Sequence, residues 1–283
     1  MKKLKIYYPQ PKFPAVSISG SKCVLKCRHC NGFYLKNMLC ADTVEKFIKL
    51  CRRLADKGTI GLLISGGYDK KGRLLNLNKI ARALRKIKKE TNLIINLHSG
   101  FVDRNILDGL ADCIDIASVD IAGMRQIKEV FGLNKTPQDY LENIKLIKSY
   151  GIAVVPHLCI GFGEESRCLE LLKELKPEII VFIGFRQTEG AELDNFKEPK
   201  SKDWKNVIAY AKKIFPKAEL ALGCMRSRKN RENVEMAALK AGVTRIVLPS
   251  KKTLEFASAN NYKIKKFESC CALSESFEAL VSP

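Results

Sequence analysis

The feature that most constrains this fold is a succession of apolar runs with no clean polar alternation. They are "AVSISG" at 15, "IGLLISGG" at 60, "LIINLHSG" at 93, "IDIASVDIAG" at 114, "IAVVPHLCIGFG" at 152, "EIIVFIGF" at 178, "ELALGCM" at 219 and "VTRIVLP" at 243, eight candidate strands in all. A strand apolar on both sides must be covered on both sides, which parallel sheets achieve by returning the chain through a helix. The intervening segments supply those helices. Val44, Phe47, Ile48, Cys51 and Leu54 share a face after Thr43, with Gly58 beyond, and Leu77, Ile80, Leu84 and Ile87 form the next stripe. Thr136 and Pro137 open a helix that Gly151 closes, Ser166 opens another, and Ser201 opens "KDWKNVIAYAKKIF" before Pro216. No glycine-rich dinucleotide fingerprint follows any strand, so the α/β pattern predicts a closed (β/α)8 TIM-type barrel rather than a doubly wound sheet. No linker, low-complexity tract or repeat is visible. The expectation is a single domain over 1–283, with a barrel core at 14–258 and a C-terminal tail, 259–283, folded over the barrel mouth.

The net charge is +20, and it is unevenly placed. Residues 1–90 hold 22 Lys and Arg against 5 Asp and Glu, whereas residues 91–283 hold 28 against 25. Such a basic first third suits an acidic partner, either a nucleic acid or an acidic protein, with Arg85, Lys86 and Lys89 as a representative patch; a Lys-rich surface kept for solubility is the plain alternative. No apolar run reaches the roughly 20 residues of a membrane span, and "MKKLKIYYPQ" has a basic start with neither apolar stretch nor cleavage site after it. No membrane partner and a cytoplasmic location are therefore expected. Eleven cysteines, an odd count, in a chain of this length favour metal ligation and buried thiols over disulfides.

In a barrel of this type the chemistry sits at the C-terminal ends of the strands. Those ends carry Cys23, Cys27 and Cys30 in "CVLKCRHC"; Ser65, Gly66, Gly67, Tyr68 and Asp69; His98; Ser118 and Asp120; His157, Cys159 and Gly161; Arg186; and Cys224 with Arg226. Three thiolates on a tight loop can take three corners of a cubane iron–sulfur cluster, leaving the fourth iron open for a substrate or cofactor. Zinc would want a fourth ligand, and His29 lies between Cys27 and Cys30, where the loop turns it away. Plain structural roles exist beside the functional ones: His157 as a bonded core histidine, Ser118 and Asp120 as a helix cap, His98 as barrel filling. Cys51 and Cys168 fall on apolar helix faces and Cys113 precedes a strand, so these three read as structural thiols.

The C-x3-C-x2-C triplet after the first strand, with Gly66-Gly67 after the second, resembles the radical S-adenosylmethionine superfamily. That resemblance implies a [4Fe-4S] cluster on Cys23, Cys27 and Cys30, whose open iron chelates S-adenosyl-L-methionine and cleaves it to a 5′-deoxyadenosyl radical. It places His29 and Gly161 at the adenine, Gly66 and Gly67 at the methionine ammonium, Ser118 or Asp120 at the ribose, and Tyr68 where relatives carry Glu. "LLISGGYDKKGRL", "VPHLCIGFGEES", "LGCMRSR" and the late "CCAL" are similar to archaeal biotin-synthase-like proteins, including subunits of two-component lipoyl synthases. This implies sulfur insertion into an octanoyl chain on an acidic lipoyl-carrier protein or domain, a possible second radical subunit, and a reductant such as ferredoxin. It also implies an auxiliary cluster as sulfur donor, expected on Cys224, Cys270 and Cys271, with Cys159 in reserve ahead of Cys40. The N-terminal C-x4-C-x5-C of single-chain lipoyl synthases is absent, and "RQTEGAEL" replaces the Pro-Thr-Pro-Gly-Thr of several relatives. Radical modification of tRNA or a small metabolite, and a non-catalytic iron–sulfur or zinc protein, are the alternative readings.

Overall fold

A computed structural model describes residues 2–189, 191, 193 and 195–280. Residues 190 and 192 of "RQTEGAEL" and the last three residues of the expected tail lie outside the described residues. The first half runs β1 (Lys3–Tyr7), β2 (Ala15–Ser17), β3 (Leu39–Cys40), α1 (Val44–Asp56), β4 (Gly61–Ser65), α2 (Leu77–Glu90), β5 (Ile94–Leu97), α3 (Arg104–Leu110), β6 (Ile116–Ile121) and α4 (Pro137–Ser149). The second half runs β7 (Ala153–Ile160), α5 (Glu165–Leu172), β8 (Ile179–Gly184), α6 (Ser201–Ile214), β9 (Glu219–Leu222), α7 (Arg231–Ala241), β10 (Arg245–Val247), α8 (Lys251–Ala259), β11 (Lys263–Phe267) and α9 (Glu275–Leu280).

All eight expected strands form, as β2 and β4 to β10, and every pairing is parallel. The helix signals act as sequence chemistry says they should: Thr43 accepts from the Lys46 amide at the start of α1, and Thr136 with Asp139 forms a capping box on α4. Ser166 is not a cap, because α5 already begins at Glu165.

Three expectations need correction. The sheet is the expected TIM-type parallel sheet, but curled into a half-barrel and not closed: its order is β11-β1-β10-β9-β8-β7-β6-β5-β4-β2-β3, and among the described residues the end strands do not pair. The barrel also extends beyond 14–258, since β1 pairs with both β10 and β11. "KLKIY" and "KIKKF" escape an apolar-run search because lysines interrupt them; on β11, an edge strand, exposed lysines discourage further pairing. Finally, the tail does not cover the mouth. After β11 it enters the barrel and closes the floor: Ala272 packs in one cluster with Ile116 and Ile179, and with Ser274 it lines a cavity at the beginnings of β6, β7 and β8. The Arg245 guanidinium, at the start of β10, donates to the carbonyls of Cys271 (3.0 Å) and Leu273 (2.6 Å).

Two apolar layers result. One lies between sheet and helices, where Leu62 and Ile64 pack with Phe47, Leu84 and Ile87. The other fills the lower lumen, where Tyr7, Ile94, Ile116, Val155, Ile179, Val181 and Val247 meet Phe267, Cys271, Ala272 and Leu273. With the floor sealed, the lumen opens at the strand C-termini. Among the described residues no helix is long and apolar enough to cross a membrane.

Candidate active site

The cysteine loop is built by short-range bonds. The Cys27 carbonyl accepts from the amides of Cys30 (3.1 Å) and Asn31 (2.8 Å), and Cys30 in turn accepts from Phe33 (2.6 Å). Across the loop, the Tyr68 carbonyl accepts from Val24 (2.8 Å) and Leu25 (2.9 Å), and the Tyr68 amide donates to Cys23 Sγ at 3.4 Å. The segment after β6 supports the other side, its Val130 carbonyl accepting from the Arg28 amide at 2.9 Å. Thr188, after β8, donates to the His29 carbonyl at 2.8 Å. The Val130 support comes from the π-helical turn Gln126–Phe131, which has no sequence signature.

These residues fit the implied cluster. Burial pushes the Cys27 thiol well above its ordinary range, and the neighbouring Cys30 and Cys23 raise it further; burial likewise raises Cys30. Cys27 and Cys30, held largely as thiols by burial, belong with Cys23 to a donor set that a bound iron cluster would stabilise as thiolates. Gly67 has no room for a side chain: a Cβ there would lie 2.0 Å from the Lys22 carbonyl and 2.5 Å from Cys23 Cα. Both are backbone atoms, so Gly67→Ala must displace the loop carrying the first cysteine. Iron retained after reconstitution should fall severalfold in that variant, and full iron content would contradict this account. The Gly67 amide donates to Ser19 Oγ at 2.7 Å, and a Cβ on Gly66 would meet the same hydroxyl at 2.9 Å. His29 is neutral, its pKa lowered to about 4 by burial, and its Nδ1 has no partner among the described residues. An orphaned acceptor or donor beside the loop is what an adenine edge would satisfy.

Beyond the loop the lumen wall is polar. His98 Nε2 stands 3.4 Å from Asp120 Oδ1, and His98 Nδ1 lies 3.2 Å from the Tyr68 hydroxyl. Burial disfavours charge on His98, but the Asp120 carboxylate outweighs it and the net shift is upward. His157, paired in register with Asp120, bonds through Nδ1 to the Val155 carbonyl (3.0 Å) and is held neutral, near 4, by burial. Ser118 is fully enclosed and donates to Asn96 Oδ1 at 2.9 Å, so Asp120 is the member of that pair open to the lumen. Gly161 comes close to Phe185 and Pro199, and the Glu165 carboxylate fixes the turn by accepting from the amides of Gly161, Phe162 and Gly163. Sequence reasoning missed Asn96, His98 as a partner of Asp120, and Glu165. Only the alternation along β5, which puts Asn96 and His98 on one face, hinted at the first two.

The remaining sulfurs divide. Cys224 is accessible yet surrounded by protein, so its open surface faces the lumen. Cys270 comes up from the floor and accepts from Asn96 Nδ2 at 3.5 Å, while Cys271 packs beneath it. The Cys271 thiol donates toward Cys270, which lowers the Cys270 pKa and raises that of Cys271. Cys159 shares the lumen face of β7 with His157, whereas Cys40 is exposed on β3. Arg226 does not follow Cys224 inward: it is buried and donates to the carbonyls of Gly223 (2.6 Å) and Val247 (2.8 Å) and to Glu235. Neither at the loop nor at the floor do three His, Cys, Asp or Glu side chains among the described residues converge on one point, so a cluster would have to draw its ligands together.

A parallel half-barrel with a cysteine loop after its first core strand defines the radical S-adenosylmethionine class. The family model of the radical SAM superfamily matches residues 17–175, more than half of the chain, and the chain belongs to that superfamily. Membership carries with it a [4Fe-4S] cluster and S-adenosylmethionine as cofactors. Among curated proteins the chain is 22% identical over 237 residues to the biotin synthase of Buchnera aphidicola subsp. Acyrthosiphon pisum (strain 5A), spanning 78% of this chain and 67% of that protein. It is 32% identical over 104 residues to the biotin synthase of Prochlorococcus marinus (strain MIT 9515), 35% of this chain and 31% of that one. Among solved structures, methylornithine synthase (PylB) superposes with a TM-score of 0.63 at 17% identity, over 88% of this chain and 73% of the other. The [FeFe]-hydrogenase maturase HydG gives 0.65 at 15%, over 99% and 67%. These likenesses in structure are likenesses of fold.

Proposed function

We propose that this radical enzyme inserts sulfur into an octanoyl chain carried on a lysine of an acidic lipoyl-carrier protein or domain. The observation that carries the reading is the sulfur lining of the lumen: Cys159, Cys224 and Cys270 stand inside the barrel, apart from the cluster loop, and Cys270 is brought there by the tail. Similarity to biotin synthases over most of the chain supports the same class of chemistry. In this reading Cys224, Cys270 and Cys271 hold an auxiliary cluster as sulfur donor. The bound cofactor supplies the radical that removes hydrogen from an unreactive carbon. The protein's own part is placement: the Cys23–Cys30 loop and Gly67 set the cofactor, the sealed floor keeps water out, and the open mouth admits the substrate arm.

Charge around the mouth supports an acidic partner. Lys22, Lys26, Lys70, Lys71, Arg228 and Lys229 lie in loops that follow strand C-termini, are exposed, and form no ion pair with a described residue. Arg85, Lys86 and Lys89, by contrast, lie toward the floor end of α2, where Arg85 faces Asp112 and Lys86 faces Glu90. The docking face for an acidic partner is therefore the mouth. Val24, Met124 and Leu248 expose apolar side chains on the same rim, and no described aromatic residue is exposed to stack a nucleobase, which favours a protein partner over tRNA. A second radical subunit and a ferredoxin-like reductant complete the proposed system.

The test is mass spectrometry of an octanoylated carrier domain and of a short octanoyl-lysine peptide after incubation with reconstituted enzyme, S-adenosylmethionine and reductant, with and without a homologous second subunit. Sulfur-bearing product is expected on both. Rising salt should suppress turnover on the carrier much more than on the peptide, since exposed charges are screened over about 8 Å at physiological ionic strength. Cofactor cleavage with no sulfur-bearing product on either substrate would refute the reading.

A further inference from the structure

Three strands present, side by side, a chain of contacts that the cofactor assignments leave unused. It begins at the cluster loop, where the Tyr68 amide donates to Cys23 Sγ and the Tyr68 carbonyl accepts two loop amides. The Tyr68 hydroxyl donates to the His98 carbonyl at 3.0 Å, which leaves its lone pairs for a proton on His98 Nδ1 at 3.2 Å; a ring that also donates from Nε2 is the doubly protonated imidazolium. The two rings meet edge to face, 6.3 Å apart at 88°, so the imidazole cannot swing without moving the phenol. Nε2, at the other end of the ring, faces Asp120 Oδ1. Among the described residues His98 is the one ion-pair partner of Asp120; His157, His29, Tyr68, Cys27 and Cys159 also lie near enough to act on its charge.

We infer that His98, held by the Tyr68 hydroxyl, is a positioning residue for Asp120: it fixes one carboxylate oxygen so that the other faces the lumen as acceptor for the cofactor's ribose hydroxyls. The inference rests on the superfamily cofactor and not on the sulfur-insertion reading. A free carboxylate on a strand end samples several rotamers, and only some present an acceptor to a ribose diol. The ion-pair contact with His98 selects among them before the ligand arrives, so less order is lost on binding. Because Tyr68 is bonded to the loop of Cys23, the same chain sets the height of the ribose acceptor relative to the cluster. Glu at position 68 could not replace this contact: it would bring a second carboxylate toward Asp120 instead of an oxygen that both donates and accepts.

The test is equilibrium dialysis of reconstituted enzyme without reductant, so that no turnover occurs, against S-adenosylmethionine and an analogue lacking the 2′ and 3′ hydroxyls. His98→Ala should weaken the parent ligand about tenfold or more, the usual effect of losing one hydrogen bond to a charged group, and leave the analogue nearly unchanged. His98→Gln, whose amide can still donate to Asp120, should recover most of the loss. Tyr68→Phe, which keeps the backbone bonds to the loop, should fall between. Asp120→Ala should show the same ribose-specific loss, and adding His98→Ala to it should cost nothing further. Iron content equal to the parent verifies that each variant is folded and loaded. Equal weakening of both ligands by His98→Ala, full additivity with Asp120→Ala, or no effect of Asp120→Ala would each overturn the inference.

Discussion

Cys27→Ala should abolish the cluster and all cleavage of S-adenosylmethionine. Cys27 is the most buried of the three loop thiols, and its carbonyl, not its sulfur, closes the turn with Cys30 and Asn31. Alanine can therefore keep the loop while removing one corner ligand, and two thiolates do not retain a cubane. The reconstituted variant should carry little iron, lose its visible absorbance and yield no 5′-deoxyadenosine with reductant present. Cys51→Ala is the matched control. Cys51 is fully buried on α1, so its loss costs some packing, but iron content and cofactor cleavage should persist. Cofactor cleavage by Cys27→Ala at the parental rate would remove the basis for the active site described here.

Arg245→Ala should unlatch the floor. Its guanidinium has no exposed surface and holds together Glu219, Glu278 and the carbonyls of Cys271 and Leu273. Lys5 joins the same group at 3.0 Å from Glu219 and 2.8 Å from Glu278, and Tyr7 donates to Glu278. Removing one partner of a buried ionic cluster strands the others, typically at about 3–5 kcal/mol. For a chain of this size that corresponds to a fall in Tm on the order of 10 °C. The more specific result is local: with Arg245 gone, the segment after Phe267 should become a preferred site of limited proteolysis, and Cys270 should react faster with thiol reagents. Arg245→Lys should restore only part of the protection, since one ammonium cannot serve two carboxylates and two carbonyls in the geometry of a guanidinium. Unchanged Tm and an uncleaved tail would show that apolar packing of Ala272 and Leu273 holds the floor unaided.

The residues themselves explain why some of this could be read in advance. Val16, Ile64, Ile95, Val119, Leu158 and Ile180 are buried on strands whose apolar runs stand out against polar loops, and Thr43 and Thr136 cap their helices through bonds that span three residues. Such signals are local, so spacing reveals them. β1 stayed hidden because Lys5 faces inward, which is tolerable only next to Glu219 and Glu278, more than 200 residues away, and β11 because exposed lysines interrupt it. The tail misled for a related reason. "ESCCALSES" looks polar and adjacent to the mouth, but the carbonyls of Cys271 and Leu273 are drawn inward by Arg245, whose own strand reads as plain barrel wall.

By itself, then, the sequence determined the eight core strands, five of the helices between them, the parallel α/β class and the cysteine loop with its glycine pair. Each of these is set by neighbours within a few positions or by a repeat of strand and helix. The tertiary structure alone decided that the barrel stays open, that the tail seals its floor, and that Tyr68, His98 and Asp120 meet. Those outcomes depend on residues far apart in the chain, brought together by buried charges and hydrogen bonds whose partners no local pattern names.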